Sequence, residues 1–311
     1  MPDTGAGLLG IERLERLEIE EILDRAKDFQ PVQNESFKRL DLLRGRMVVN
    51  LFFEASTRTR TSFEIAAKRL GADAISITAS GSSVSKGESL VDTLNTLAAM
   101  RPDAIIMRHS ASGAPHFLAR YLPTPIINAG DGTHEHPTQA LLDARTILDR
   151  RPTLEGLRVT IIGDIAHSRV ARSNLYLLSK FGAHVVLCGP ASLLPAELGR
   201  LAPGIELTTD MREAIRGSDV IMMLRVQLER QHESAFPASE YFRFYGLRLE
   251  HIGLAKPDVI VMHPGPINRG REISSEVADS QRSVILNQVE NGIAVRMAVL
   301  ERVLTRTCRN S

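Results

Sequence analysis

The sequence predicts an α/β fold in which parallel sheets are flanked by helices, divided into two domains. Three observations carry this. Short, continuously apolar segments recur along the chain, helix-sized segments separate them, and the polar break Arg150-Arg151-Pro152-Thr153 falls near mid-chain with a fresh apolar run after it. Parallel strands buried on both faces read as unbroken apolar runs, and parallel neighbours need a crossover, usually a helix, between them. A closed β/α barrel fits the same alternation. The mid-chain break and the presence of polar clusters in both halves favour two open sheets, with the active site in the cleft between the domains.

The strands expected are 47–53, 74–78, 104–108, 125–128, 158–162, 184–188, 220–226 and 259–262. Each is short, and each is rich in Val, Ile, Leu, Met or Phe. The helices expected are 59–70, 88–100, 138–150, 169–181 and 287–306. Gly71 and Gly182 follow two of them, where left-handed C-terminal caps belong. Residues 235–245 read as a long irregular stretch, a candidate mobile loop.

Composition narrows the function. The 311 residues carry a formal net charge of +1, which leaves no global basic field for nucleic acid or a membrane surface. Anion binding must therefore come from local clusters. Cys188 and Cys308 are the only cysteines, too few for a disulfide framework or a cysteine zinc site, and they fit a reducing cytoplasm. The first residues lack a basic and apolar leader pattern, and no apolar run is long enough to span a bilayer, so a cytoplasmic location is expected.

The most informative segment runs from Phe52 to Glu64, FFEASTRTRTSFE. An apolar strand passes through Ser56, Thr57, Arg58, Thr59 and Arg60 into a helix. First-turn amides have no intrahelical partner, and the helix dipole places partial positive charge there. The hydroxyls add donors, and the guanidiniums add forked permanent charge that suits phosphate oxygens. Two arginines and several hydroxyls in one turn exceed what capping needs, so this is read as a phosphate site. The P-loop pattern of glycines, lysine and hydroxyl is absent.

Six further clusters follow. Arg108 ends the run AIIMRH, and ligands of open α/β sheets sit at the carboxyl ends of strands. His109 beside it is read as structural. His136-Pro137-Thr138-Gln139 opens a helix with Pro137 at a favoured first position. There His136 is either a plain cap or a neutral donor aimed at a carbonyl oxygen, with Gln139 one turn away touching a small amide. The segment SGSSVSKGE, residues 80–88, is either a flexible polar loop or an arm delivering Lys86 and a hydroxyl to an anionic site. Gly163 to Arg169 follows RVTII at a nucleotide-binding position, but it has only one of the glycines a dinucleotide requires, and it leads instead to Arg169 at a helix start. Arg172, one turn on, is read as a solvated face. Arg225 and Gln227 share one side of an extended segment, and a charge emerging from an apolar strand needs a partner or ligand. Finally, His263-Pro264-Gly265-Pro266 makes a tight turn at a strand end, of a kind in which one X-Pro bond is sometimes cis.

Together these segments resemble the aspartate/ornithine carbamoyltransferase family. STRTR, HPTQ, RVQ and HPGP occur in the family's order and spacing, from about Leu8 to the C-terminal helix. The resemblance implies a carbamoyl-phosphate-binding domain over 1–149, with the terminal helix 290–311 packing back on it, and an aspartate-binding domain over 150–289. It implies that Ser56, Thr57, Arg58 and Thr59, with Arg108, hold the phosphate. Thr59, Arg108 and His136 would polarise the carbonyl, and Gln139 would hold the carbamoyl NH₂. Arg169, Arg225 and Gln227, together with Lys86, would grip the carboxylates of aspartate. Gly265 and Pro266 would present backbone carbonyls to the amines, and Glu54 would organise Arg169 and Arg225. It further implies a homotrimer with shared active sites, in which Ser82 and Lys86 come from the neighbouring subunit, and domain closure on the substrates. No metal or organic cofactor is implied.

The reaction so implied transfers the carbamoyl group of carbamoyl phosphate to the amine of L-aspartate, the committed step of de novo pyrimidine biosynthesis. Arg58, Arg108, Lys86, Arg169 and Arg225 answer the charge of these two anions and would repel the side-chain cation of ornithine. The ornithine enzymes also carry a cysteine-containing turn where this chain has HPGP. Some relatives have a bulkier residue than Gly265 and two lysines where SVSKGE has one. In these departures the chain resembles members that operate without the zinc-bearing regulatory chain, some of which associate with a dihydroorotase-type partner. The rival readings are a transcarbamoylase for another amino acid, a catalytically silent scaffold for a partner enzyme, and a nucleotide-binding protein.

Overall fold

The computed structural model describes residues 7–35, 39–78, 90–225 and 238–307. In chain order the elements are α1 (Arg16–Phe29), β1 (Met47–Phe52), α2 (Thr57–Arg69), β2 (Asp73–Thr78), α3 (Leu90–Ala99), β3 (Ala104–His109), α4 (Ala114–Leu118), β4 (Ile126–Asp131), α5 (Pro137–Leu148), β5 (Arg158–Ile162) and α6 (Arg169–Lys180). There follow β6 (His184–Cys188), β7 (Ile205–Thr208), α7 (Met211–Ile215), β8 (Val220–Met223), α8 (Ala238–Tyr245), α9 (Leu249–Ile252), β9 (Ile260–Met262), α10 (Ser275–Ala278) and α11 (Ile285–Thr307).

Two compact units result, Met1–Arg145 with Glu290–Ser311, and Thr146–Val289. The first holds a four-stranded sheet in the order β2-β1-β3-β4, and the second a five-stranded sheet in the order β7-β6-β5-β8-β9. Every strand pair is parallel. The sheets are open, as expected, and not a barrel.

In the first unit Val49, Leu51, Ile105, Met107 and Ile126 point into one buried cluster with Leu94 and Leu97 of α3 and Leu118 of α4. Burial of this kind, at roughly 25 cal/mol per Å² of apolar surface, is the main drive to fold. In the second unit Ile162, Val186, Cys188, Ile221, Met223 and Val261 meet Ile215, Tyr241 and Leu247. The second half of α11 packs on α1 within the first unit. Arg25 forks onto Glu301 at 2.6 and 2.7 Å, and Gln30 donates to Asn291 at 2.7 Å. Arg302 donates to Glu21 at 2.8 Å and also to Glu18.

Gly71 and Gly182 lie at φ 85° and 72°, as their cap positions require. Three features depart from the sequence reading. The irregular stretch expected over 235–245 is helical from Ala238 onward: α8 buries Tyr241 and Tyr245 against the second core, and that tertiary contact outweighs its mixed local pattern. Strand β7 is short and only half-buried at its ends, so it lacks the continuous apolar run that marked the others. Helix α1 is an amphipathic surface helix with five buried positions, Ile19, Ile22, Leu23, Ala26 and Phe29, among many charges.

Candidate active site

In the first unit, β1 delivers the chain to the start of α2. Ser56 is the N-cap, with extended backbone at φ −160° and ψ 93°, and its side chain makes no capping hydrogen bond. The first-turn amides are therefore not occupied by their own cap. Arg58 is exposed on this turn and Thr59 is buried, so the turn presents a charged arm over a fixed hydroxyl.

Arg108 sits at the carboxyl end of β3, opposite Phe52 in the sheet register. Its Nη2 donates to Glu54 Oε1 at 2.7 Å, and its Nη1 to the Ala129 carbonyl at 3.2 Å. Both side chains of this ion pair are largely buried, 11% and 19% exposed. Glu54 thus braces Arg108 within the first unit. Next to Arg108, the His109 ring accepts from the Ala111 amide at 2.8 Å and packs on Phe53. Burial holds His109 below the usual histidine range despite the charges of Asp131 and Glu54. The structural role expected for it fits these contacts.

His136 is buried before the first residue of α5, and its carbonyl accepts from the amides of Gln139 and Ala140 at 3.0 and 3.3 Å. One turn on, the Gln139 side chain donates to Asp143 Oδ1 at 2.9 Å. This fixes which end of the amide is the acceptor. The i,i+4 spacing made that bond legible on a helix, yet it was not read.

A residue missed altogether lies behind this surface. Arg296 of α11 is buried, stacks over the Phe63 ring of α2 at 5.1 Å and donates to the Gly292 carbonyl at 2.9 Å. Burial first, and then the nearby Arg108 charge, push its pKa down to about 10, with Asp143 opposing. It remains cationic at neutral pH, beside the middle of α2. A lone arginine inside the apolar run IAVRMAVL was the available signal. Ser82 and Lys86 lie outside the described residues.

In the second unit, the Gly163–Arg169 turn is shaped by packing and not by a nucleotide. Gly163 has φ 146°, and a Cβ there would lie 2.7 Å from Leu224 Cβ. Asp164 holds the turn by accepting from the His167 amide at 3.2 Å, and it meets the His167 ring at 2.9 Å. Ser168 caps α6 by accepting from the Ala171 amide at 3.1 Å, which leaves Arg169, largely buried, as the first helical residue. Arg225 is half-buried two residues beyond β8, next to β5 in the sheet. Gln227 lies outside the described residues.

The Gly265-Pro266 peptide is cis, and Gly265 has φ 67°. A buried dyad holds this turn. His263 Nδ1 accepts from the Gly265 amide at 2.8 Å, so its other ring nitrogen carries the proton toward Glu272 Oε1, 3.1 Å away. The same carboxylate oxygen accepts from the Asn268 amide at 2.6 Å. Glu272 was not legible in the sequence, because nothing in a nine-residue separation across irregular chain predicts contact.

A helix start bearing Arg58 and Arg60 on one open α/β unit, and on the other Arg169 at a helix start and Arg225 beyond a strand end, fit a class of transferase. The chain belongs to the aspartate/ornithine carbamoyltransferase family. Residues 7–149 match its carbamoyl-P binding domain and residues 155–303 its Asp/Orn binding domain. Among curated relatives, the aspartate carbamoyltransferase catalytic subunit of Solibacter usitatus is 84% identical over 96% of this chain and 99% of its own length. That of Syntrophotalea carbinolica is 58% identical over 94% and 93%. Among solved structures, the ornithine carbamoyltransferase of Pyrococcus furiosus superposes with a TM-score of 0.87 at 33% identity, covering 95% of this chain and 96% of that one. The aspartate transcarbamoylase of Trypanosoma cruzi, in complex with carbamoyl aspartate and phosphate, gives 0.86 at 32%, covering 96% and 95%. The fold is thus shared by enzymes of both specificities.

Proposed function

We propose that the chain transfers the carbamoyl group of carbamoyl phosphate to the amine of L-aspartate, giving N-carbamoyl-L-aspartate and phosphate in pyrimidine biosynthesis. The observation that carries this reading is the start of α2, where amides left uncapped by Ser56 stand on the unit that also holds Arg108 and His136. The 84% identity to a catalytic subunit of that name supports the choice of aspartate. So does the chain's chemistry: Arg169, Arg225 and Lys86 suit a dicarboxylate, and the turn HPGP lacks the cysteine of ornithine enzymes.

In this reading Ser56, Thr57, Arg58 and Thr59 hold the phosphate with Arg108. Thr59, Arg108 and His136 donate to the carbonyl oxygen, and Gln139 binds the carbamoyl amide. The amine of aspartate attacks the carbonyl carbon while its carboxylates rest on Arg169, Arg225 and Gln227. Negative charge builds on the carbonyl oxygen in the tetrahedral intermediate, where fixed donors stabilise it without reorganising. The C–O bond to phosphate breaks, and the departing phosphate accepts the amine proton, so no side-chain base is required. The carbonyls of Gly265 and Pro266, held by the His263–Glu272 dyad, accept from the amines. Most of the acceleration is positioning and electrostatics.

The assembly proposed is a cytoplasmic homotrimer in which Ser82 and Lys86 complete the neighbour's site, with a dihydroorotase-type protein or a regulatory chain as a further partner. The decisive experiment is carbamoyl-phosphate-dependent product formation by the purified chain, with aspartate and ornithine in parallel. Turnover with ornithine, or with neither, would overturn the assignment. Mixing inactive Lys86→Ala and Arg58→Ala chains tests the shared site: activity reappears only if one subunit supplies Lys86 to another's Arg58.

A further inference from the structure

Away from the residues assigned to catalysis, the first unit gathers a second set of chemistry-bearing side chains. His116 lies on α4, Asp131 ends β4, and His134 lies in the turn that leads to α5. One ligand atom from each lies within 4.8 Å of the others. His134 Nδ1 is 3.0 Å from Asp131 Oδ2, and the rings of His116 and His134 meet edge-on at 5.1 Å. We propose that His116, Asp131 and His134 form a binding site for one divalent transition-metal ion of the zinc class.

The spacing suits this chemistry. Ligand atoms about 2.0–2.2 Å from a tetrahedral ion lie roughly 3.3–3.6 Å from one another. Little movement separates the present cluster from a coordinated one. Two imidazoles and a carboxylate select zinc, cobalt or nickel over magnesium or calcium, which prefer all-oxygen cages.

Asp131 is also held as a metal-ligating carboxylate usually is. Its Oδ1 accepts from Asn128 Nδ2 at 2.8 Å and from the Glu135 amide at 3.1 Å, and its Oδ2 accepts from the Gly113 amide at 2.6 Å. Such outer contacts orient a ligand. Glu12 and Glu135 lie at the same short spacing from His134, adding negative charge that favours a cation. With His116 they line a cavity of about 270 Å³, which Arg13 and Arg302 also line. The ion would tie α4 to the turn immediately before His136. The simpler reading is a plain Asp131–His134 ion pair that pins the turn without metal.

The test is titration of the full-length, untagged, chelator-stripped protein with Zn²⁺ and with Co²⁺, followed by calorimetry and visible absorption. The expected result is one ion per chain, a cobalt spectrum without a thiolate charge-transfer band, and binding at least about tenfold weaker in each of His116→Asn and His134→Asn. His184→Asn, at the start of β6, should bind as the parent does. X-ray absorption on the zinc-loaded parent should report two imidazoles, and it remains decisive if a variant fails to fold. No saturable binding, undiminished binding in both folded histidine variants, or a thiolate band would each overturn the site and leave the ion pair as the whole explanation.

Discussion

Arg108→Met isolates the charge at the carboxyl end of β3. The substitution keeps a long apolar stem but removes the 2.7 Å bond to Glu54 and the 3.2 Å bond to the Ala129 carbonyl. A hydrogen bond to a charged group contributes about 1.5–3 kcal/mol and a neutral one about 0.5–1.5 kcal/mol. With partial screening at this depth, about 2 kcal/mol of stability should be lost. Part of that loss reflects the Glu54 carboxylate, 19% exposed, losing its Arg108 partner. Catalysis should suffer more. Removing one preorganised donor to a developing oxyanion costs about 10²–10³ in rate, or about 2.7–4 kcal/mol. Product formation at saturating aspartate, against denaturation followed by circular dichroism, separates the two effects. The double variant Glu54→Gln/Arg108→Met removes both charges of the pair, so it should regain part of the stability and none of the activity. Turnover of Arg108→Met within threefold of the parent, or recovery of activity together with stability in the double variant, would refute the reasoning.

Arg58→Ala should lower carbamoyl transfer by orders of magnitude while leaving the denaturation midpoint almost unmoved, because Arg58 is exposed on the α2 turn; near-normal turnover would remove it from the phosphate site. Gly163→Ala should cost roughly 1–3 kcal/mol, since it forces a side chain onto φ 146° and within 2.7 Å of Leu224 Cβ; an unchanged midpoint would show that the β5 and β8 ends are slack. In a Cys308→Ser background, Cys188 should resist alkylation until the second unit unfolds, because burial raises its thiol to about 12; rapid labelling of the native protein would contradict that burial.

Much of the fold was legible because its strands are buried on both faces. Runs such as RVTII and HVVLC have no solvent face to confuse the pattern, and both proved to be strands with the bounds expected. β7 was not legible because a short edge strand needs only its neighbour's backbone to form. The candidate residues on α2, β3 and α5 were legible because each sits where an element begins or ends, and such positions announce themselves through Ser, Pro or a charge after an apolar run. Their partners were not. Glu54 faces Arg108 across 54 residues of sequence, and His263 faces Glu272 through a turn of irregular chain.

The sequence by itself marked two parallel-sheet units, a helix start rich in hydroxyls and arginines, an arginine beyond a strand end, and a turn with too few glycines for a dinucleotide. These are properties of residue type and local spacing, and short-range sterics and hydrogen bonding enforce them without reference to distant chain. The tertiary structure alone decided how those groups are braced. It set Glu54 against Arg108, placed the buried Arg296 cation beside the middle of α2, and gathered His116, Asp131 and His134 into one cluster. Such pairings depend on the register of parallel strands and on where the last helix returns. Both are settled by burial of apolar surface summed over each whole unit, a quantity that no local pattern contains.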